Sequence, residues 1–452
     1  MDEADECSAT ERVQRAIRDE IIDGTRPGGS RIVEATEAAR FSVSRIPVRK
    51  AIRGLIHEGL VDRLPRHGGL VHVLSRTDVA DIAELHSAFD RLAVRQAAVR
   101  RTDADLRRFR ADVEDARRAV AADDTEQLRR AGLAFRTHSY ESTRNPILLE
   151  IHAALLSRTR RMFALADPAL TTPLPFYERF ERAFADGDPD AAETTMVELA
   201  ESSRAARHAR VLRALDDDAF DLSLTAPEAE TPPLHGEDRY APEHVMVHDR
   251  LQRQIIDGLR APGSVLSERL LAEEFGVSRI PVGEAIEMLT REGLATSGSS
   301  RVASRVRGLR DEERDDLFDV GAAMDVLATR LAAQRPLPRE LAALKEKLVA
   351  EHRVVPGDTK NLVETIFDFR TQIYAMCGNR LLGEVNRLIE GRMRLLVSEA
   401  PLASVVLRGH RLLYEAIASR DTRLAELVYR DVFTRADRRG QILANAPRDD
   451  GQ

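Results

Sequence analysis

The chain has little of what disulfide-bonded, membrane-embedded or aromatic-rich proteins depend on. It contains two cysteines, Cys7 and Cys377, in 452 residues, no tryptophan and 4% aromatic residues. Two thiols are too few for a disulfide framework or a thiolate metal site. No apolar run approaches the roughly 18 residues that a membrane span requires. With so few rings, we expect the cores to be packed mainly by Leu, Val, Ile and Ala.

Positive charge is carried almost entirely by arginine, because lysine supplies only four of the 68 basic residues. The net charge of -7 argues against a chain that is basic throughout but allows local basic patches. Guanidinium groups must therefore do most of the charge pairing and phosphate binding. Residues 1–6 are acidic and lack the basic and apolar regions of a signal peptide, so we expect a cytoplasmic protein.

A six-residue segment occurs twice in the chain. Val43–Val48 reads Val-Ser-Arg-Ile-Pro-Val, and the same residues return at Val277–Val282, 234 positions later. Other landmarks keep this register: Ile21–Gly24 with Ile255–Gly258, Glu58–Leu60 with Glu292–Leu294, Phe135–Arg136 with Phe369–Arg370, and Asn145 with Asn379. A constant offset over about 130 residues indicates duplication of a whole unit of about 220 residues, which is too long a period for a solenoid.

Each unit begins with three predicted helices and a hairpin. The first helix is amphipathic over 13–21 and stops at Gly24, and a short second helix follows. Ser44 is the predicted N-cap of the third helix. Apolar alternation on both sides of a glycine-containing turn then predicts a β-hairpin. This order is that of a winged helix-turn-helix, and the second unit repeats it with a predicted hairpin tip at 298–300.

A longer helical segment follows each winged helix. Six helix-length stretches separated by breakers lie at 77–101, 103–122, 125–142, 146–165, 175–186 and 189–213, and residues 311–442 repeat the series. Prolines and acids without periodicity at 223–243 predict a solvated linker. The predicted fold class is mainly α, with winged helix-turn-helix domains at 8–75 and 244–307 and antiparallel all-α bundles at 76–222 and 308–445.

One pattern at fixed spacing is long enough to be specific. It comprises Pro262-Gly263-Ser264, Leu266–Arg269, Leu271-Ala272, Phe275–Arg279, Pro281-Val282 and Glu292–Leu294. The chain here resembles the GntR family of bacterial transcription regulators, in its FadR-like branch with an all-helical FCD-type sensing domain. The resemblance covers nearly all of the chain, twice. Ordinary members are homodimers of one unit, so this chain resembles a dimer fused in tandem.

The third helix of each winged helix is the expected DNA reader. A basic helix face is ordinarily only a solvated surface, but its position before a hairpin favours entry into the major groove. The resemblance implies that Arg45 and Arg279 read bases or grip phosphates, and that His67, Gly68 and Gly69 lie on the wing. The predicted DNA-binding residues are Ser44, Arg45, Arg49, Lys50, Arg53, His67 and Gly68 in the first copy, and Arg269, Ser278, Arg279 and Arg301 in the second.

The two predicted readers differ in charge. The family pattern has three arginines, for which copy one offers Ala35, Arg45 and Arg49 and copy two offers Arg269, Arg279 and Gly283. Lys50 and Arg53 correspond to Glu284 and Glu287. Residues 8–75 hold twelve basic and eight acidic residues, whereas 244–307 hold nine and eight. We therefore expect an operator with two unequal half-sites. The alternative is that only the first winged helix reads DNA and the second copy is a structural dimerisation module.

A metal site is not expected in the helical domains. Many FadR-like sensing domains hold a divalent metal with one Asp and three His. The equivalent positions here are Gly132, Arg136, Tyr177 and Leu199 in the first copy, and Ile366, Arg370, His410 and Val432 in the second. Since one ligand of eight survives, we expect no metal and no other cofactor.

Arginine takes the place of one metal ligand in both copies. A guanidinium inside a bundle needs an anionic partner, either a ligand carboxylate or phosphate or a protein acid such as Glu150 or Glu384. The family's carboxylate-holding arginine corresponds to His86 and Gly321, which favours the internal salt bridge. If a small anionic effector binds, its expected contacts are Arg136, Tyr177 and Arg160 in the first bundle, and Arg370, His410 and Arg394 in the second.

Nothing in the sequence predicts an enzyme. Some GntR-like proteins carry an aminotransferase-like half, but Lys345, Lys347 and Lys360 lie in helical or loop segments of the duplicated bundle. We expect a regulator whose partner is double-stranded DNA and whose two repeats pair within one chain. Further association of two chains stays open, and no membrane partner is expected.

Overall fold

The computed structural model describes residues 8–64, 68–165, 172–202, 242–298, 303–355, 358–398 and 403–428. By its internal contacts the chain divides into two units, 1–220 and 221–452. Each unit holds a winged helix followed by a helical bundle, which confirms the predicted fold class. The predicted linker at 223–243 lies almost wholly outside the described residues.

The first winged helix has three helices and a three-stranded sheet. Its elements are α1 (Ala9–Ile22), β1 (Arg31–Ile32), α2 (Glu34–Phe41), α3 (Arg45–His57), β2 (Val61–Arg63) and β3 (Gly69–Val71). β3 lies between β1 and β2 and is antiparallel to both. The predicted hairpin is confirmed, whereas β1 was not predicted, because a strand of two residues shows no alternation.

The boundaries of these helices follow from local chemistry. α1 begins with a capping box in which Ser8 and Glu11 bond each other's backbone N–H groups. The apolar residues of α1 and α3 pack into one core, to which Val13 and Ile21 contribute from near the two ends of α1. Ser44 is the N-cap residue of α3, as predicted, and its backbone is extended, but its hydroxyl makes no capping hydrogen bond.

The first bundle consists of α4 (Arg76–Arg100), α5 (Asp103–Ala121), α6 (Thr125–Ser142), α7 (Pro146–Leu165), α8 (Leu174–Asp186) and α9 (189–202). The end of the last predicted helix lies outside the described residues. The rings of Phe109 and Phe184 are tilted against each other with centroids 4.5 Å apart, and Phe135 meets Tyr177 edge to face with centroids 5.2 Å apart. The expectation of a mainly aliphatic core missed this cluster, because composition does not show that the few rings are gathered in one place.

The second unit repeats the order of elements. Its winged helix has α10 (Glu243–Ile256), α11 (Glu268–Phe275), α12 (Arg279–Arg291) and an antiparallel pair, β4 (Ala295–Thr296) and β5 (Arg305–Val306). Its bundle has α13 (Asp311–Gln334), α14 (Pro338–Glu351), α15 (Thr359–Met376), α16 (Arg380–Ser398), α17 (Ala403–Ala418) and α18 (Thr422–Val428). Most of the predicted hairpin tip at 298–300 lies outside the described residues.

The two units do not keep one offset throughout. The N–H of His72 donates to the carbonyl of Leu60, and Arg307 donates to Leu294 in the same way. His72 and Arg307 are 235 positions apart, one more than the 234 between the two leucines. The second wing is therefore one residue longer. At the start of the bundles, equivalent residues are therefore 235 positions apart. An alignment that kept the offset of 234 would pair the wrong residues there.

Candidate nucleic-acid interface

The exposed face of α3 carries a row of cations. Arg45, Arg49, Lys50 and Arg53 are all exposed, because the opposite face of the helix packs its apolar residues into the winged-helix core. Arg45, Lys50 and Arg53 make no salt bridge within the described residues. A helix with this face fits the major groove, where guanidinium groups can bond guanine edges or phosphates.

Arg49 differs from the other three cations because it is already paired. Its Nε and Nη2 donate to the carboxylate of Glu34 on α2 at 3.0 and 2.9 Å. Glu34 is buried, whereas the Arg49 side chain is 44% exposed. The bidentate bond fixes the direction of Arg49 while leaving part of its guanidinium accessible.

The corresponding face of α12 is acidic after its first residue. Arg279 is exposed, but Glu284 and Glu287 follow where unit one has cations. A Cβ on Gly283 would lie 3.4 Å from Oε1 of Glu268, so this carboxylate stands beside Gly283 as Glu34 stands beside Arg49. On α11, Arg269 is exposed and bonds Glu273 at 2.8 Å.

Of the predicted wing residues, Gly68 lies in the described part of the chain. His67 and Arg301 lie outside the described residues. Gly68 has φ +106°, and a Cβ there would overlap the backbone carbonyl of Ile32. Glycine at 68 is thus required for the close approach of the wing to β1. Ser44 and Ser278 are exposed immediately before the reading helices.

Glu58, at the end of α3, joins the reader to the bundle of unit one. Its carboxylate accepts hydrogen bonds from Gln14 at 2.6 Å, Arg18 at 2.7 Å and, across the domain boundary, Ser157 on α7 at 2.7 Å. Burial raises the pKa of Glu58, but these hydrogen bonds together outweigh it and lower the pKa. Arg158 donates from Nε to the Glu58 carbonyl at 3.0 Å. We call this set the reader–bundle joint.

The second unit builds its joint from different side chains. Glu292 accepts hydrogen bonds from His248 and Gln252, each at 2.9 Å. Burial lowers the pKa of His248, but bonds to Asp249 and Glu292 raise it to about 9. Arg392 is buried and lies against Gly293. The carboxylate is common to both units, whereas its partners on the first helix are not.

A histidine in unit one links the wing to the first bundle helix. Nδ1 of His72 lies 3.0 Å from Asp62 on β2, and Nε2 lies 3.3 Å from Asp78 on α4. Burial lowers the pKa of His72, but the two carboxylates outweigh it and raise the pKa to about 9. Arg161 is buried nearby, and burial lowers its pKa to about 10 against the opposing effect of the same two aspartates. In unit two an Arg307–Glu313 salt bridge replaces the histidine.

The interior of the first bundle contains a buried triad. Oδ1 of Asp90 accepts hydrogen bonds from Nη2 of Arg136 at 2.7 Å and from the hydroxyl of Tyr140 at 2.8 Å. Arg136 also donates to Nδ1 of His86. Because Arg136 can only donate, His86 carries its proton on Nε2, which bonds the hydroxyl of Thr159 at 2.7 Å.

The second bundle repeats the triad but not its surroundings. Oδ1 of Asp325 accepts from Nε of Arg370 at 2.8 Å and from Tyr374 at 2.6 Å. The positions of His86 and Thr159 are taken by Gly321 and Met393, and a Cβ on Gly321 would lie 2.7 Å from the methionine methyl. The internal salt bridge predicted for both arginines is therefore present. The carboxylate beside Arg136 is Asp90, not the suggested Glu150.

The other predicted effector contacts are scattered. Arg160 is exposed, so it does not face the interior. Arg394 bonds Glu390 and Glu364 at 3.0 and 3.2 Å. Tyr177 is buried in the phenylalanine cluster, and Nδ1 of His410 lies 2.5 Å from Glu351. His410 also stacks on Phe369 with centroids 4.2 Å apart. Arg160 thus lies apart from the interior of the first bundle, whereas Arg370 and Arg394 of the second bundle lie over the same ring, that of Phe367.

Two kinds of feature are absent from the described residues. They contain no group of three or more His, Cys, Asp or Glu placed to hold a metal ion. Eight positions were aligned with the family's metal ligands, and one of these, Val432, lies outside the described residues. No helix in this part of the chain is both long enough and apolar enough to cross a membrane.

A winged helix with a cationic reading helix, followed by a helical bundle, defines a two-domain DNA-binding regulator. Models of known families agree: "Bacterial regulatory proteins, gntR family" matches residues 9–71 and 244–302, and "FCD domain" matches 81–202 and 316–435. The chain belongs to the GntR family of bacterial DNA-binding transcriptional regulators and contains both of its domains twice.

Curated relatives are regulators of the same kind. The uncharacterized HTH-type transcriptional regulator YdhC of Bacillus subtilis (strain 168) is 25% identical over 195 residues, which are 42% of this chain and 87% of that protein. The gluconate operon transcriptional repressor of the same organism is 27% identical over 191 residues, 40% of this chain and 77% of the repressor. Among solved structures, E. coli McbR/YncC has 21% identity and a TM-score of 0.39, covering 45% of this chain and 98% of its own.

Proposed function

We propose that the chain regulates transcription as a single-chain pseudo-dimer, with two winged helices that bind related but unequal half-sites. The observation that carries this proposal is the difference between α3 and α12. Both begin with an exposed arginine, Arg45 or Arg279, which supports a shared base contact. Behind it, one cation of α3 is replaced by glycine and two by glutamate, which supports fewer phosphate contacts by the second reader.

In this proposal residues 8–75 and 244–307 bind DNA, while the bundles at 76–222 and 308–445 pair within the chain. Fusion places the second reader at a high effective concentration once the first has bound, without any new contact. A protein that acts on bacterial DNA in this way would work in the cytoplasm. The reading side chains would be Arg45, Arg49, Lys50 and Arg53 in unit one and Arg269 and Arg279 in unit two, with Ser44, Ser278 and the wing residues His67, Gly68 and Arg301 beside them.

The test is quantitative binding to DNA selected from a random pool by the intact protein. Arg45→Ala and Arg279→Ala should each weaken specific binding, by about 10-fold or more if the arginine is bidentate to guanine. Both substitutions are at exposed positions, so thermal unfolding should be unchanged. Failure of the intact chain to select any sequence would contradict the proposal.

A second candidate function is supported by the same comparison. Gly283, Glu284 and Glu287 weaken the case for DNA reading by unit two, which could then serve as a structural partner for unit one. In that event only Arg45→Ala would reduce binding, and a complete operator would require two chains. The binding stoichiometry of the selected DNA separates the two functions.

An effector site is proposed only for the first bundle. Nε of Arg136 and Nε2 of His152 are buried and have no hydrogen-bond partner in the described part of the chain. The His152 ring stacks on Tyr140 at 4.0 Å, and Arg136 lies over the same ring. Burial and the nearby Arg136 lower the pKa of His152 to about 4, so it is neutral at pH 7. A carboxylate or carbonyl group could satisfy both atoms.

The second bundle offers the opposite chemistry. There Oε2 of Glu351 is among the buried atoms that have no hydrogen-bond partner within the described residues, and this carboxylate would repel an anion. We therefore expect one anionic effector per chain. A thermal-shift screen of small carboxylates should find ligands for the intact protein that His152→Phe no longer binds. A ligand that is bound equally well by this variant would place the site elsewhere.

A further inference from the structure

Each reading helix presents one large apolar side chain to solvent. Ile46 is 67% exposed and Ile280 is 76% exposed, whereas Val48 and Leu55 of the same first helix are fully buried. Neither isoleucine contributes to a core of its unit. A single exposed isoleucine is ordinary on a protein surface, but this one recurs at the equivalent position of both units, each time on the first turn of the third helix of a winged helix.

The isoleucine lies within the cationic face of the helix. Successive residues of an α-helix are rotated by about 100°. Ile46 is therefore flanked on the exposed face of α3 by Arg53 on one side and Lys50 on the other, with Arg45 one residue before it. The first turns of a recognition helix are those that reach base edges, so Ile46 accompanies Arg45 into the groove.

The two units keep this pair within the identical segment Val-Ser-Arg-Ile-Pro-Val, while the cations that follow the segment in unit one are not kept. At three positions the helices differ, with the exposed Arg49, Lys50 and Arg53 of α3 opposite Gly283, Glu284 and Glu287 of α12. The sequence Arg-Ile is the same in both. Charge changes alter phosphate attraction, which carries no sequence information. The retained pair therefore belongs with base reading rather than with general attraction to DNA.

We propose that Ile46 and Ile280 each pack against the C5-methyl group of a thymine adjacent to the base contacted by Arg45 or Arg279. Among the four bases, thymine is the one that displays a methyl group in the major groove. Contact between this methyl and the exposed isoleucine removes apolar surface of both from water. Both half-sites then share one thymine, although their flanking phosphate contacts differ.

The inference rests on DNA binding through α3 and α12, and the experiment separates the two ideas. The full chain is first used to select a DNA sequence, and each thymine is then replaced singly by deoxyuridine, which removes only the methyl group. Binding of the unmodified sequence tests the proposed function. The effect of the missing methyl tests the isoleucine contact.

We expect one thymine per half-site whose replacement weakens binding of the intact protein about fourfold, as for the loss of one buried methyl group. Ile46→Ala should bind the thymine and deoxyuridine forms of its half-site equally, Ile46→Val should keep part of the difference, and Ile280→Ala should act on the other half-site. Val99→Ala, at a 62% exposed position on the bundle helix α4, should leave both differences intact. Methyl sensitivity that persists unchanged in Ile46→Ala and Ile280→Ala would overturn the inference, as would a selected site with no methyl-sensitive thymine.

Discussion

The guanidinium of Arg158 occupies the space beside Gly59 that any larger residue would need. A Cβ on Gly59 would overlap the Arg158 side chain, whose Nε donates to the Glu58 carbonyl at 3.0 Å. In unit two a Cβ on Gly293 would lie 2.9 Å from the Arg392 guanidinium. The glycine that ends each reading helix is thus also the place where the bundle touches it.

We predict that Gly59→Ala destabilises unit one more than Gly24→Ala does. Both glycines have positive φ, 68° and 83°, so both substitutions incur a backbone cost of about 1 kcal/mol. A Cβ on Gly24 meets nothing within 4 Å, whereas Gly59→Ala must also displace Arg158, for a further loss of about 2 kcal/mol. Chemical denaturation measures both. In an Arg158→Ala background the two alanine variants should differ little, and an undiminished difference there would rule out this explanation.

We predict that loss of the Asp90 carboxylate from the triad of the first bundle lowers the stability of the protein. Asp90→Asn leaves the buried Arg136 without a counter-charge, and we expect the free energy of unfolding to fall by about 3–5 kcal/mol. Asp115→Asn is the control, because its salt bridge with Arg118 is exposed and its loss should change stability by less than about 0.5 kcal/mol. Equal effects of the two substitutions in urea denaturation would show that the Asp90–Arg136 pair is not buried as described.

The stability that His72 provides should depend on pH. Its pKa is raised from 6.5 to about 9 in the fold, so its protonated form stabilises the native state. That contribution is fully present below pH 6.5 and is lost as the pH rises through about 9. We predict that His72→Gln lowers the free energy of unfolding by on the order of 2 kcal/mol at pH 6 and that the difference from the wild type largely disappears by pH 10. The exposed His352 supplies the control variant His352→Gln. A loss for His72→Gln that is the same at both pH values would argue for packing instead.

We predict that a substitution at Gly283 can strengthen DNA binding by α12. Gly283 faces Glu268 in the place where Arg49 pairs with Glu34, so Gly283→Arg can adopt the same bidentate bond. We expect stronger DNA binding and a plot of log affinity against log salt that is steeper by about one unit, since one phosphate contact is added. The matched control, Gly283→Gln, adds length without charge and should leave the slope unchanged. An unaltered slope for Gly283→Arg would indicate that α12 does not approach DNA.

Local patterns in the sequence predict the helices, the hairpin and the order of the domains. The spacing of Val13, Ile17 and Ile21 predicts the buried face of α1, and all three are buried. Breakers such as Asn145-Pro146 predict helix ends because their effect acts within a few residues. The strand β1 escaped prediction because its pairing with β3 is decided by residues about 40 positions away.

The partners of buried charges were harder to predict. Arg136 was correctly expected to need an acid, but Asp90 lies 46 residues earlier in the chain, on another helix. The extra residue in the second wing also hides that Asp90 corresponds to Asp325, since the two are 235 positions apart. The pairing of His86 with Gly321, which are also 235 positions apart, has the same register, and the wing hydrogen bonds show its cause. The exposed Ile46, in contrast, could have been found by placing α3 on a helical wheel.

The unequal faces of α3 and α12 affect the orientation in which the protein would bind along a DNA duplex. A homodimer with identical readers looks the same after it is turned end for end on its site. A chain with Arg49 in one reader and Gly283 in the other would not, because exchanging the units changes the contacts at both ends. Such a protein would sit on the duplex with one defined polarity, and a neighbouring promoter on one side would always face the same unit.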